Sequence, residues 1–387
     1  MTRQEFIKTL MLLGISIPFT NLFANDKPSQ KSTFTGNVLI IGAGAAGLSA
    51  GYLLKQKGID FKIIEATSQH GGRMKVNNTF ADFPLPLGAE WITSPNIQFG
   101  QLVDTQKVLE KIKTVGYTQN DEYYVWHHGK LLRSTLDTLN YQKFIGSSWL
   151  SFFDTFIVPS IQKNISYQEP VKSIDYTNDE IVVVAEKGKY TTDRVILTAP
   201  LPILQNKEIR LTPPLPKKKI AAIENTAVWP GFKAFFEFEE KFYPSFVDYI
   251  IQPETDGQVY LYDAAWGQAS NRHILGLFSV GKPAKAYGNL NDSEFKNQAL
   301  KEFDKIFDGQ ASRAYLKHIT QNWSNEPFAK GAYISDYSTP KNVTQLQNPV
   351  ENKLYFAGDA YTDGYDWGNV HNAIHSATQS VNKILSD

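Results

Sequence analysis

Apolar residues recur along this chain in three rhythms, and each predicts a different kind of element. In residues 37 to 65, "NVLIIGAGAAGLSAGYLLKQKGIDFKIIE", the run from Val38 to Ile41 is unbroken, the mark of a strand covered on both faces. Glycines 42, 44 and 47 interrupt it, helical spacing follows as far as Gly58, and a second apolar run from Phe61 to Ile64 ends in Glu65. Residues 229 to 243, "WPGFKAFFEFEEKFY", alternate instead. Phe232, Ala234, Phe236 and Phe238 fall on one side and Lys233 and Phe235 on the other, as in a strand with two unlike faces. In "LYFAGDAYTDGYDWGNVHNAIHSA", residues 354 to 377, a short strand from Leu354 to Ala357 leads through Gly358, Asp359 and an aromatic loop into a helix starting near Asn369. Val370, Ala373, Ile374, Ala377, Val381 and Ile384 form its apolar face.

The first of these patterns carries chemistry. Between a strand and a helix, Gly42 suits a tight turn, Gly44 lets backbone approach a pyrophosphate and Gly47 lets the helix pack closely on the sheet. The helix N-terminus, at Ala45 and Ala46, then faces the phosphates. Glu65, followed by Ala66, ends the second strand, where a carboxylate accepts hydrogen bonds from the adenosine ribose. A second glycine turn follows at Gly71, Gly72 and Arg73, bringing a guanidinium toward the same dinucleotide, suited to a pyrophosphate or to the polar edge of a flavin.

Composition narrows the remaining possibilities. The 387 residues suffice for two domains, and 39 Lys and Arg balance 39 Asp and Glu, so the net charge points to neither nucleic acid nor an acidic membrane surface. There is no cysteine, which excludes disulfides, thiolate metal sites and a cofactor attached through sulfur. Residues 1 to 24 pair a basic start at Arg3 and Lys8 with an apolar stretch from Leu10 to Phe19 and Ala24 as a cleavage point, the pattern of a signal peptide directing the chain to the periplasm. "TRQEFIK" is similar to a twin-arginine export box with Gln4 in place of the second arginine. The alternative is an uncleaved N-terminal helix or anchor, and the protein would be cytoplasmic if the segment is not a signal. Residues 25 to 35 are polar and read as a linker, and no later run is apolar enough to span a bilayer.

Together with "GGRM" and "LGAEWI" at residues 87 to 92, the opening motif resembles the flavin-containing amine oxidase family of monoamine, polyamine and L-amino acid oxidases. The resemblance continues through "VKSIDYTNDEIVVVAEKGKYTTDRVILTAPLPIL" at 171 to 204, "WSNEPFAKGAY" at 323 to 333 and "YFAGDA" at 355 to 360. It implies an α/β fold whose Rossmann-type FAD-binding domain is assembled from residues 36–95, 165–204 and 348–387, with a discontinuous α+β substrate domain from 96–164 and 205–347. It further implies noncovalent FAD held by Gly42, Gly44, Ala45, Ala46, Gly47, Glu65, Ala66, Gly72, Arg73, Gly88, Ala89, Glu90, Trp91, Val171, Gly358, Asp359, Asn369 and Val370. Lys233 matches the family's lysine that reaches flavin N5 through a water. Substrate would be a small amine or amino acid, met by Trp323, Tyr365 and Trp367. Oxidation of its C–N bond by hydride transfer to N5 would give an imine for hydrolysis, and O2 would be reduced to hydrogen peroxide. Many relatives place an aromatic where Asn369 stands. A desaturase, an NAD(P)H oxidase or a non-catalytic FAD-binding protein would share the dinucleotide motifs.

The residues alone favour plainer roles at several positions. Trp91 suits packing, and Glu90 suits either a substrate ammonium or a structural hydrogen bond. His127 and His128 fall in a polar turn, while His371 and His375, four apart on the last helix, lack a third ligand and suit packing. Lys217, Lys218 and Lys219 read as a solvated loop or helix start. No metal site, Gly-x-Ser-x-Gly elbow or zinc-protease helix is present in the sequence, and oligomeric state is not encoded in any of these patterns.

Overall fold

The computed structural model describes residues 34–93, 95–118, 121–135 and 141–387. The signal-peptide segment and most of the expected linker lie outside them. Among the described residues no helix is long and apolar enough to cross a membrane.

The buried apolar runs form a five-stranded parallel sheet in the order Leu354–Phe356, Arg194–Leu197, Asn37–Ile41, Asp60–Ile64, Ile165–Ser166. Neighbours in this sheet come from distant parts of the chain, so helices and long excursions must join them. Helix Ala45–Gln56 and helix Val370–Ser386 pack together on one face, sharing a core that includes Ala50, Leu54, Ala373, Ile374, Ala377 and Val381. The apolar face expected on the last helix is buried throughout. The fold is the expected Rossmann-type α/β arrangement. Beside it, Val171–Asp175, Ile181–Ala185 and Lys189–Thr192 form an antiparallel meander, completed by Arg210–Thr212 in parallel with the first of these.

A second body of structure is built on a seven-stranded sheet: Tyr315–Asn322, Gly231–Phe238, His273–Gly281, Gly257–Asp263, Phe246–Tyr249, Tyr123–His127, Lys130–Arg133. Strand Gly231–Phe238 is paired on both sides and buried at every position. Its alternation sends Phe232, Ala234, Phe236 and Phe238 into a core closed by helix Asp292–Ile306, while Phe235 joins a different cluster with Tyr262 and Phe246. His128 and Gly129, both at positive φ, close the Tyr123–His127 hairpin, in keeping with the polar turn expected there.

The lysine run corrects the sequence reading. Lys217 and Lys218 are exposed at the start of helix Lys217–Asn225, but Lys219 is buried. Its ammonium donates to the carbonyls of Gln345, Leu346 and Asn348 and sits 3.6 Å from the centre of the Phe356 ring. Three donors thus meet three acceptors, which ties this helix to the C-terminal end of helix Pro340–Gln347, ahead of the last strand of the parallel sheet. Burial pushes the Lys219 pKa down to about 7, with Lys383 adding repulsion. Lys219, Ala222 and Ile223 share one face at helical spacing, and all three are buried.

Candidate active site

A cavity of about 2740 Å³ runs from the glycine turns of the parallel sheet to the face of the seven-stranded sheet. Ordinary small-molecule pockets occupy roughly 300–1,000 Å³, so there is room for a large cofactor and a substrate together.

The dinucleotide end is made largely of backbone. Gly42 has a φ of +104°, and a Cβ on Gly47 would collide with the Gly42 carbonyl. A Cβ on Gly44 would meet nothing within 4 Å, so this glycine faces open space. Helix Ala45–Gln56 has neither a side-chain cap nor an acidic residue in its first turn. The unmatched N–H groups and positive dipole end at Ala45 and Ala46 are therefore available to an anion. Glu65 is buried and fixed: one oxygen accepts from the Ala43 amide at 2.7 Å and the other from the Thr67 amide and hydroxyl at 2.9 and 2.8 Å. Remaining lone pairs on that carboxylate and the open anion cradle fit a dinucleotide. Ala66, Gly72 and Val171 line the same end.

Arg73 pairs with both oxygens of Asp359 and donates to the Ala332 carbonyl, joining the second glycine turn to the Gly358–Asp359 loop. Asn369 caps the last helix, its amide donating to Asn372 Oδ1 at 3.1 Å, with Val370 as the first helical residue. Both line the cavity.

Lys233 is 2% exposed, not the solvated edge lysine that spacing alone would allow. Its Nζ donates to Glu90 Oε2 at 2.5 Å and to the Gly88 carbonyl at 3.2 Å. Tyr262 donates its hydroxyl to the same Glu90 oxygen at 2.6 Å, and Lys143 Nζ lies 3.8 Å from Glu90 Oε1. Lys143 also donates to the carbonyls of Asp263 and Ala264 at 3.0 and 2.8 Å. One carboxylate thus stands between two buried amines. Burial opposes the charge on Glu90, but Lys233 and Lys143 outweigh it and hold the carboxyl below its ordinary value. Burial draws both lysines down, with Glu90 acting against the shift. Glu90 is therefore occupied by the protein's own ammonium groups, which supports its structural reading over direct contact with substrate. Lys143 and Tyr262 were missed in the sequence because nothing local connects them to Lys233.

Segment 87–91 is braced from both sides. Trp323, buried, donates its indole N–H to the Leu87 carbonyl at 2.9 Å; Gly88 and Ala89 follow in the cavity lining. Trp91 meets Phe278 and Tyr262 edge-on at 5.6 and 5.1 Å between ring centres, consistent with packing. Tyr365 is 82% exposed at the cavity rim, whereas Trp367 is buried against the parallel-sheet core. These two do not form one wall. His371 lies 3.0 Å from both Asp366 and Gln98, and among the described residues no group of three His, Asp or Glu is placed to hold a metal.

Residues 153–385 match the flavin-containing amine oxidoreductase family. The chain belongs to that family. Residues 40–105 also match the NAD(P)-binding Rossmann-like domain. Lysine-specific histone demethylase 1B of Mus musculus is 24% identical across 100% of this chain and 56% of its own length. Polyamine oxidase 1 of Zea mays is 37% identical over 86 residues, 22% of this chain and 17% of that protein. The chain thus spans about half of the mouse relative or less of these curated proteins. Among solved structures, putrescine oxidase bound to putrescine has a TM-score of 0.74 at 15% identity, covering 91% of this chain and 99% of that one. Cyclohexylamine oxidase from Brevibacterium oxydans IH-35A has a TM-score of 0.73 at 14% identity, with 91% and 99% covered. These structures share the fold.

Proposed function

We propose that this protein is an FAD-dependent amine oxidase that uses O2 as acceptor and releases hydrogen peroxide. The observation that carries the reading is a buried lysine, Lys233, on the cavity face opposite an open dinucleotide cradle. Family membership and the names of the relatives, which include polyamine, putrescine and cyclohexylamine oxidases, point the same way. The glycine turns, Glu65, Asp359 and the N-terminus of the last helix would hold FAD noncovalently, and the flavin would supply the hydride-accepting redox chemistry for oxidation of the C–N bond.

The remaining work belongs to side chains. Lys233 holds the water that hydrolyses the imine and exchanges a proton with it at Nζ, a task suited to an ammonium drawn below its ordinary pKa. Glu90 and Tyr262 keep that Nζ in place, and Lys143 secures the far side of Glu90. Trp91, Tyr260 and Phe278 keep bulk water away from the reacting carbon.

The test is anaerobic mixing of the purified yellow holoenzyme with monoamines, diamines, amino acids and NADH. Bleaching by an amine, followed by peroxide release when air is admitted, is the expected result. Bleaching by NADH alone would overturn the reading and favour a dihydronicotinamide oxidase of the same fold.

A further inference from the structure

The pairing of four strands places an acid at the far end of the substrate side. Lys233 pairs with Phe278, Phe278 with Tyr260 and Tyr260 with Asp248. These four residues form one row across the sheet, and all line the cavity. Three interstrand steps of about 4.8 Å separate the backbones of Lys233 and Asp248 by roughly 14 Å.

Rings fill the interval. Tyr260 stacks on Phe278 at 5.5 Å with planes 11° apart, and Phe246 packs against Tyr260 at 5.4 Å and Tyr123 at 5.7 Å. Such a surface suits methylene groups and, through the ring faces, cations.

Asp248 has little to do within the protein itself. Among the described residues its side chain meets the Tyr123 hydroxyl at 3.5 Å, beyond the usual O–H···O range. Among the described residues it forms no ion pair, and burial together with nearby Glu254 disfavours its charge. A carboxylate in an aromatic cavity without a cation is costly to keep, and a ligand's ammonium would satisfy it.

Resting on the amine oxidase reading, we infer that Asp248 anchors the remote ammonium of a substrate with two cationic nitrogens, a diamine or polyamine, whose methylenes lie along the Phe278–Tyr260 row. The reacting nitrogen sits toward Lys233, and the second nitrogen, as an ammonium, donates a charge-assisted hydrogen bond to the Asp248 carboxylate. Glu254 and Asp336 line the same end of the cavity and add negative potential.

The test compares α,ω-diaminoalkanes of increasing length with 1-aminoalkanes of the same carbon count, using wild-type holoenzyme and Asp248→Asn. Wild type is expected to favour diamines by about tenfold or more in kcat/KM, chiefly through KM and with an optimum length. Asp248→Asn is expected to reduce that preference about tenfold or more. Equal use of the two series by wild type, or an unchanged preference in the variant, would overturn the inference while leaving amine oxidation intact. Should no amine bleach the flavin, the oxidase reading fails, and calorimetric titration with the diamines decides separately. Binding that weakens in Asp248→Asn supports the anchor; absent or unaffected binding overturns it. If the variant does not fold, the wild-type length series still gives either result.

Discussion

On the dinucleotide side of the cavity the lining is backbone: the turn at Gly42, the open Cα of Gly44 and the uncapped amides of Ala45 and Ala46. On the substrate side it is side chain: Lys233, Phe278, Tyr260 and Asp248, one from each of four strands. Backbone recognition is specified by a few glycines at short spacing and tolerates little change. Side-chain recognition is distributed over strands and can be altered one residue at a time without dismantling the sheet. The first half is suited to a constant ligand and the second to a variable one.

The sharpest break of this contrast comes at the glycines. Gly47→Val is expected to prevent folding, since its Cβ would fall on the Gly42 carbonyl, and soluble expression measures this. Gly44→Val is expected to leave the apoprotein's melting temperature little changed while flavin content falls below about a tenth of wild type, because the added groups enter only the cradle. A folded Gly47→Val protein with full flavin would refute the backbone account.

The next largest effect is at Lys233. Lys233→Met is expected to lower turnover by about 10²–10³ and stability by about 3 kcal/mol, read by steady-state kinetics and urea unfolding. Combined with Glu90→Gln it should cost less stability than the two changes summed, because the buried carboxylate that the first change leaves with only Lys143 and Tyr262 is removed by the second. Additive losses would mean the ion pair is not a unit.

Lys219→Met should cost about 1–3 kcal/mol by leaving the buried Leu346 carbonyl and the part-buried carbonyls of Gln345 and Asn348 without their donor, with kinetics unchanged in the folded fraction. A further effect is a pH slope. Burial raises Asp248 to about 7, above the value of an unfolded aspartate, so its favourable neutral form is complete below about pH 4 and is lost as pH rises toward 7. Tyr123, Tyr260 and Glu254 are the titratable groups facing it or acting on it, and Asp336 acts on Tyr260 beside it. In ligand-free protein, Asp248→Asn is expected to flatten that dependence by up to about 4 kcal/mol over this interval, measured by melting at a series of pH values.

The same contrast explains what could be read from the chain. Gly42, Gly44, Gly47 and Glu65 were legible because a backbone cradle needs them close together in sequence, and the apolar face of the last helix because its period is local. Lys233 could be assigned to one face of its strand, but its partners Lys143 and Tyr262 come from other strands, and no local spacing encodes their register. Asp248 was overlooked for the same reason: it gains meaning only when Phe246–Tyr249 is aligned with Gly257–Asp263. Lys219 was a different kind of miss. A triplet of lysines suggests solvent, yet the helical spacing that places Lys219 with Ala222 and Ile223 was available.

The order of strands in the parallel sheet bears on how the protein is made. Asn37–Ile41 pairs with Arg194–Leu197, which in turn pairs with Leu354–Phe356, and the helix that follows packs against Ala45–Gln56. A nascent chain can assemble the seven-stranded sheet while the remainder is still being translated. Its flavin cradle must wait until Asp359 and the last helix have emerged from the ribosome. Until residues 359 to 386 are made the glycine turn is therefore a half-built site, and cofactor capture follows their synthesis.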